Sequence, residues 1–86
     1  MAAVERITKE HLKNLKMPAI GIWIHPSDYP GKIIAKVYSQ GIDQGITMAR
    51  SNIATLLHDV SDAAEGMVFY RPGEDDPDAL MGVFMK

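Results

Sequence analysis

The stretch that decides the fold is residues 19–38, AIGIWIHPSDYPGKIIAKVY. Over residues 19–25 it alternates with the period of two that an extended strand imposes. Ile20, Ile22 and Ile24 fall on one side, and Gly21, Trp23 and His25 on the other. Residues 26–31, PSDYPG, are dense in turn formers and interrupt the strand. Alternation resumes over residues 32–38, with Ile33, Ala35 and Val37 on one side and Lys32, Ile34, Lys36 and Tyr38 opposite. The connection is short enough for an antiparallel hairpin.

Working outward toward the C-terminus, residues 41–45 (GIDQG) read as a second turn and residues 46–49 as a short third strand. Ser51 is the expected cap of a helix whose apolar stripe is Ile53, Leu56, Leu57 and Val60, at i, i+3, i+4 and i+7. His58 and Asp59 project away from that stripe, and Gly66 suits a left-handed C-terminal stop. Residues 67–70 read as a fourth strand, 71–78 as an acidic turn, and 79–85 as a fifth strand. This last strand is apolar on both sides, as expected of one covered on both faces. Toward the N-terminus, residues 2–16 fit an amphipathic helix. Val4, Ile7, His11, Leu12 and Leu15 lie on one face and Arg6, Lys9, Lys13 and Lys16 on the other. Thr8 is a second candidate cap, which leaves open a helix that begins only there behind a loose leader. Pro18 ends either version. The order α-β-β-β-α-β-β predicts an α+β protein with a mostly antiparallel sheet and a helix packed on one face. With no internal repeat and no linker, residues 1–86 read as one domain: an N-terminal helix over 1–17, loosely attached in the second version, and a sheet-plus-helix core over 19–86.

Composition narrows the class. Of 86 residues, 47% are apolar and 23% charged, which excludes disorder and collagen-like repeats. The absence of cysteine excludes a disulfide scaffold, a thiolate metal site and a cysteine nucleophile. The longest apolar run, residues 80–85, is far short of a membrane span, and the N-terminus lacks an apolar signal core, so the chain reads as cytoplasmic. A domain of this size buries only about 60–65% of its unfolded surface. Stability must come from a well-filled core or from a partner subunit, and a homodimer is expected.

Tyr29-Pro30-Gly31-Lys32 leads into a strand, a helix opens near Ser51, and Arg71 with Glu74-Asp75-Asp76-Pro77 precedes a final strand. Over residues 28–86 this pattern resembles a group of small uncharacterised bacterial proteins, a resemblance that implies no activity. The order of three strands and then a helix also resembles the small partial RNase-H domain of some toxin–antitoxin antitoxins. That likeness implies a fold; a regulator or inhibitor that is antitoxin-like, or encoded by a phage or other mobile element, fits the same class.

Few residues carry chemistry. His25 and Asp28 lie three apart across a turn, and the acidic residues 74–78 are available to approach them, but a helical histidine pair is missing. Glu74, Asp75, Asp76 and Asp78 lack the glycine and the distal Glu of a calcium loop and read as a solvated Asx-type turn, paired with Arg71. No serine sits in a nucleophile elbow, and Gly31-Lys32 is not a phosphate loop. No catalytic residue, metal or other cofactor is therefore expected. Charge is asymmetric: residues 1–50 carry seven Lys/Arg against four Asp/Glu, and residues 51–86 two against seven. The basic set Arg6, Lys9, Lys13 and Lys16 is a candidate phosphate-contacting face, set against pairing with Glu5 and Glu10. The candidate partner-binding residues are Tyr29 in its proline-braced loop, Trp23 opposite the isoleucine face, and Val83 and Met85 on the last strand. The expected function is a non-enzymatic protein-interaction module, homodimeric and binding another protein. The alternatives are nucleic-acid binding through the basic set, and a metal-assisted hydrolase built on His25, Asp28 and the acidic turn.

Overall fold

A computed structural model describes the backbone of residues 2–86 and the side chains of residues 3–86. The alternating stretch forms the centre of the sheet. β2 (Pro18–Ile24) and β3 (Ile33–Ser39) pair antiparallel with Ile20 opposite Val37 and Ile22 opposite Ala35. The remaining elements are β1 (Ala2–Ala3), α1 (Lys9–Leu12), β4 (Ile42–Arg50), α2 (Ile53–Val60), β5 (Val68–Tyr70) and β6 (Leu80–Met85). Among the described residues the strands make one six-stranded sheet in the order β1-β4-β3-β2-β6-β5, antiparallel except for the two-residue β1–β4 pair. The protein is of the α+β class, with its helices on one face of the sheet.

That face is the core. Ile20, Ile22, Ala35, Val37 and Met48 point toward α2, which places Leu56 and Val60 on them. The Asn52 side chain caps α2, accepting from Thr55 N at 2.8 Å, so the cap lies one residue beyond the expected Ser51. After α2 the chain makes further turns that bury Ala63 and Ala64, and Gly66 stops them at φ +80°.

Three expectations are corrected. The N-terminal segment is not a helix over residues 2–16. Ala2–Ala3 pairs with Ile46 and Thr47 of β4, and only the single turn α1 is helical. Thr8 opens that turn in extended geometry, its N–H donating to His11 Nδ1 at 2.9 Å. The β-branched Val4, Ile7 and Thr8 suit extended chain, which lets this segment cover the edge of β4 while Ile7, Leu12, Val4 and Leu15 still join the core. The apolar stripe therefore marks buried residues but not a long helix. Second, residues 41–45 are not a turn. The turn is Gln40-Gly41, at φ +53° and +80°, which suits a two-residue primed hairpin, and β4 starts at once at Ile42. Inside β4 the register shifts opposite residues 36–38, where Gly45 N donates to Asp43 Oδ1 at 2.8 Å. Third, β6, which sits between β2 and β5, is covered on one face only: Met81 and Phe84 pack on the core, while Leu80, Val83 and Met85 line an open groove. No helix of the described residues is long and apolar enough to cross a membrane.

Candidate functional site

The register fixes what the other face carries. Trp23 lies opposite Ile34 on β3 and Leu80 on β6, Gly21 opposite Lys36 and Val83, and Ala19 opposite Tyr38 and Met85. On β5, Tyr70 and Val68 extend the row beside Val83 and Met85. Among the described residues the helices pack on the opposite face, and on this side only the loop residues Asp28, against Lys36, and Asp76 and Pro77, at the groove, reach the row. Toward β4 the face closes on itself, since Ile34 is fully buried between its register neighbours Trp23 and Ala49. Toward β6 it opens into an apolar groove of about 870 Å³, with Trp23, Tyr38, Leu80, Val83 and Met85 among its walls.

Gly21 permits the aromatic part of this groove. A Cβ there would fall 2.9 Å from Tyr38 Cε2 and 3.1 Å from Trp23 Nε1, so the two rings close over bare backbone. The Trp23 indole N–H is shielded from solvent and has no hydrogen-bond partner of good geometry. Tyr38 is its neighbour. Burial pushes the Tyr38 phenol above its ordinary pKa, and the nearby indole offsets part of that shift. The hydroxyl therefore stays protonated through the neutral range.

Lys36 is the one charged residue among the strand positions of this face on β3, β2, β6 and β5. Its ammonium lies 5.6 Å from the centroid of the Trp23 ring and 3.6 Å from Asp28 Oδ2, with its side chain 15% exposed. The charge is thus folded down and compensated within the chain. Charge reappears at the two ends of the groove. Lys86 follows Met85 at one end, beside the start of β2 where Lys16 precedes Met17. At the other end Asp76 and Pro77 belong to the acidic turn before Leu80.

The expected site residues divide accordingly. Trp23, Val83 and Met85 come together in the groove. Tyr29 does not line it; it is half-buried in the loop of residues 26–31, its N–H donating to Pro26 O at 2.9 Å. Tyr38, Leu80 and Gly21 were not singled out from sequence, although the alternation had placed Tyr38 and Gly21 off the isoleucine face. The basic set is mostly paired. Arg6 binds Asp59 at 3.3 Å, Lys9 binds Glu65 at 3.0 Å, and Lys13 binds Glu10 at 3.2 Å. The hydrogen bond to Glu65, with the Glu65 and Asp62 charges, raises the Lys9 pKa. Lys16 makes no ion pair among the described residues, and its carbonyl accepts from Ser39 Oγ at 2.7 Å. Asp59 collects Arg50 Nε at 2.7 Å, Arg6 and His58, and the Arg50 hydrogen bond leads in holding its carboxyl below the ordinary value. Arg50 also donates to the carbonyls of Ala49 and Glu5. This cluster ties the N-terminal segment to β4 and α2.

Among the described residues no three His, Asp or Glu side chains stand close enough to hold a metal ion. His25 is exposed, Asp28 is engaged with Lys36, and Gly73 N donates to Asp76 Oδ2 at 2.7 Å, which makes the acidic segment a self-bonded turn. Arg71 takes part in no ion pair among the described residues. No protein-family model, curated protein or solved structure matches the chain.

Proposed function

We propose that the protein is a non-enzymatic interaction module that works in the cytoplasm through the open face of its sheet. The observation that carries this reading is the groove of Trp23, Tyr38, Leu80, Val83 and Met85, left uncovered beside a face that the helices cover. Small soluble proteins rarely present contiguous apolar surface of this kind unless something binds there. Aromatic residues in such a groove are the usual anchors of an interface. A regulator or inhibitor of a partner protein, of the antitoxin-like or mobile-element type, is the role this architecture suits. The nucleic-acid alternative draws less support, because Arg6, Lys9 and Lys13 are already paired within the chain. The hydrolase alternative lacks a convergent set of ligands.

A photo-crosslinking amino acid placed at Met85, and separately at Thr55 on the exposed side of α2, tests the reading in cells of the native host. Discrete covalent adducts from position 85 and none from position 55 are expected, with the position-85 adducts lost when Val83→Lys is added. Equal yields from both positions, or none from position 85, would overturn it.

A further inference from the structure

We infer that the open face is the contact between two copies of this chain, packed face to face with their strands antiparallel. The inference rests on the interaction reading above and names its occupant.

Width selects the kind of partner. The face spans β3, β2, β6 and β5, four strands at about 4.8 Å, and each long strand runs six or seven residues at about 3.3 Å. The three long strands span roughly 14 by 20 Å and the three-residue β5 adds about 5 by 10 Å, about 330 Å² in flat projection. A single helix, about 10 Å across, would cover half of it. A second sheet, stacked at about 10 Å, covers all of it, and another copy of this chain carries a sheet of matching width. Two such faces, with the relief of their side chains, approach the roughly 1,000 Å² at which a specific interface begins.

Charge permits the contact and then orients it. Lys36, neutralised by Asp28 and laid over Trp23, brings no uncompensated ammonium into the interface. At the rim, Lys16 and Lys86 mark one end of the strands and Glu74, Asp75, Asp76 and Asp78 the other. A two-fold axis lying in the face along the strands would set acidic turn over acidic turn. A two-fold axis lying across the strands sets each acidic turn over the lysine end of its partner, and this is the arrangement that complementarity selects.

The experiment is sedimentation equilibrium of the full chain across the micromolar range, with emission and acrylamide quenching of Trp23, the only tryptophan, followed in parallel. The parent should reach twice its 9.5 kDa as concentration rises, and Trp23 should become less quenchable over the same range. Val83→Lys should remain a monomer with the circular dichroism of the parent. Because that variant places a charge on a half-buried site, two changes at exposed positions supply the orientation test. Lys86→Glu and Asp75→Lys should each weaken the dimer by about two- to tenfold through two symmetry-related rim pairs, and the double variant should restore it. A parent that stays monomeric throughout overturns the inference, as does a dimer untouched by Val83→Lys. A dimer whose double variant is no better than the singles overturns the antiparallel arrangement. Adducts at position 85 to a different protein alone would leave the interaction reading standing and remove the second copy as its occupant.

Discussion

The two faces of the sheet are made by the same strands from similar residues, yet one is sealed and the other is not. On the sealed face Ile20, Ile22, Val37 and Met48 are fully buried beneath Leu56 and Val60. On the open face the neighbouring positions carry Trp23, Tyr38, Val83 and Met85, and Met85 keeps 38% of its surface exposed. Apolar alternation thus specifies two surfaces that seek cover. The number of helices decides how many are covered within one chain. Here α2, the turns after it and the N-terminal segment all lie on one side, so they leave the other uncovered.

The largest effect should come from the sealed face. Leu56→Ala leaves a cavity beneath α2 and should cost about 2–5 kcal/mol, much of the stability of so small a domain. Chemical denaturation checks this, and a change below about 1 kcal/mol would mean the core is not where α2 meets the sheet. Next, Gly21 of β2 and Gly82 of β6 allow the same substitution on opposite faces. A Cβ at Gly82 would fall 2.2 Å from Phe69 Cζ, inside the Phe69–Phe84 pair whose centroids are 4.8 Å apart. Gly82→Ala should therefore cost about 1–3 kcal/mol as the Phe69 ring, 37% exposed, swings outward and its pairing with Phe84 is lost. At Gly21 the same carbon meets Tyr38 Cε2 and Trp23 Nε1 at 2.9 and 3.1 Å, atoms of two rings that line the groove. Gly21→Ala should cost less than Gly82→Ala and shift the Trp23 emission. The reverse ranking in paired melts would contradict the assignment of sealed and open faces.

The smallest effect concerns the clasp that holds the N-terminal segment on the sealed side. Asp59 has its folded pKa lowered below the ordinary 3.8, first by the Arg50 hydrogen bond. Its contribution to stability is therefore complete above the unfolded pKa and is lost as pH falls through the folded one. Melting temperature should decline in acid below about pH 4, and Arg50→Met should flatten that decline. An identical acid profile in Arg50→Met would mean that Asp59 does not carry it.

Much of this was legible in the alternation. Residues 19–38 are a hairpin with the two faces correctly sorted, and the stripe of Ile53, Leu56 and Val60 is a helix on that sheet. What escaped depends on contacts distant in sequence. Val4, Ile7, Leu12 and Leu15 satisfy a helical face and a strand-then-turn path equally well, and the need to cover the β4 edge decides between them. Likewise GIDQG has the residues of a loop, but pairing with β3 holds it extended from Ile42. For the groove, local pattern put Trp23 and Val83 on strand faces. Only the β2–β6 register, across some 60 residues, put those faces together.

That same register has a kinetic meaning. β2 receives one neighbour at once, since Ile24 and Ile33 meet nine residues apart, and the other only from the far end of the chain, since Ile22 meets Gly82. Closing the longer loop costs about 1.7 kcal/mol more in chain entropy, by the logarithm of loop length. The meander of β2, β3 and β4 therefore assembles first, and β6 inserts late. During synthesis the outer edge of β2 waits, unpaired, until residues 80–85 leave the ribosome. For that interval a strand of seven residues without a single charge offers a bare edge to any other chain.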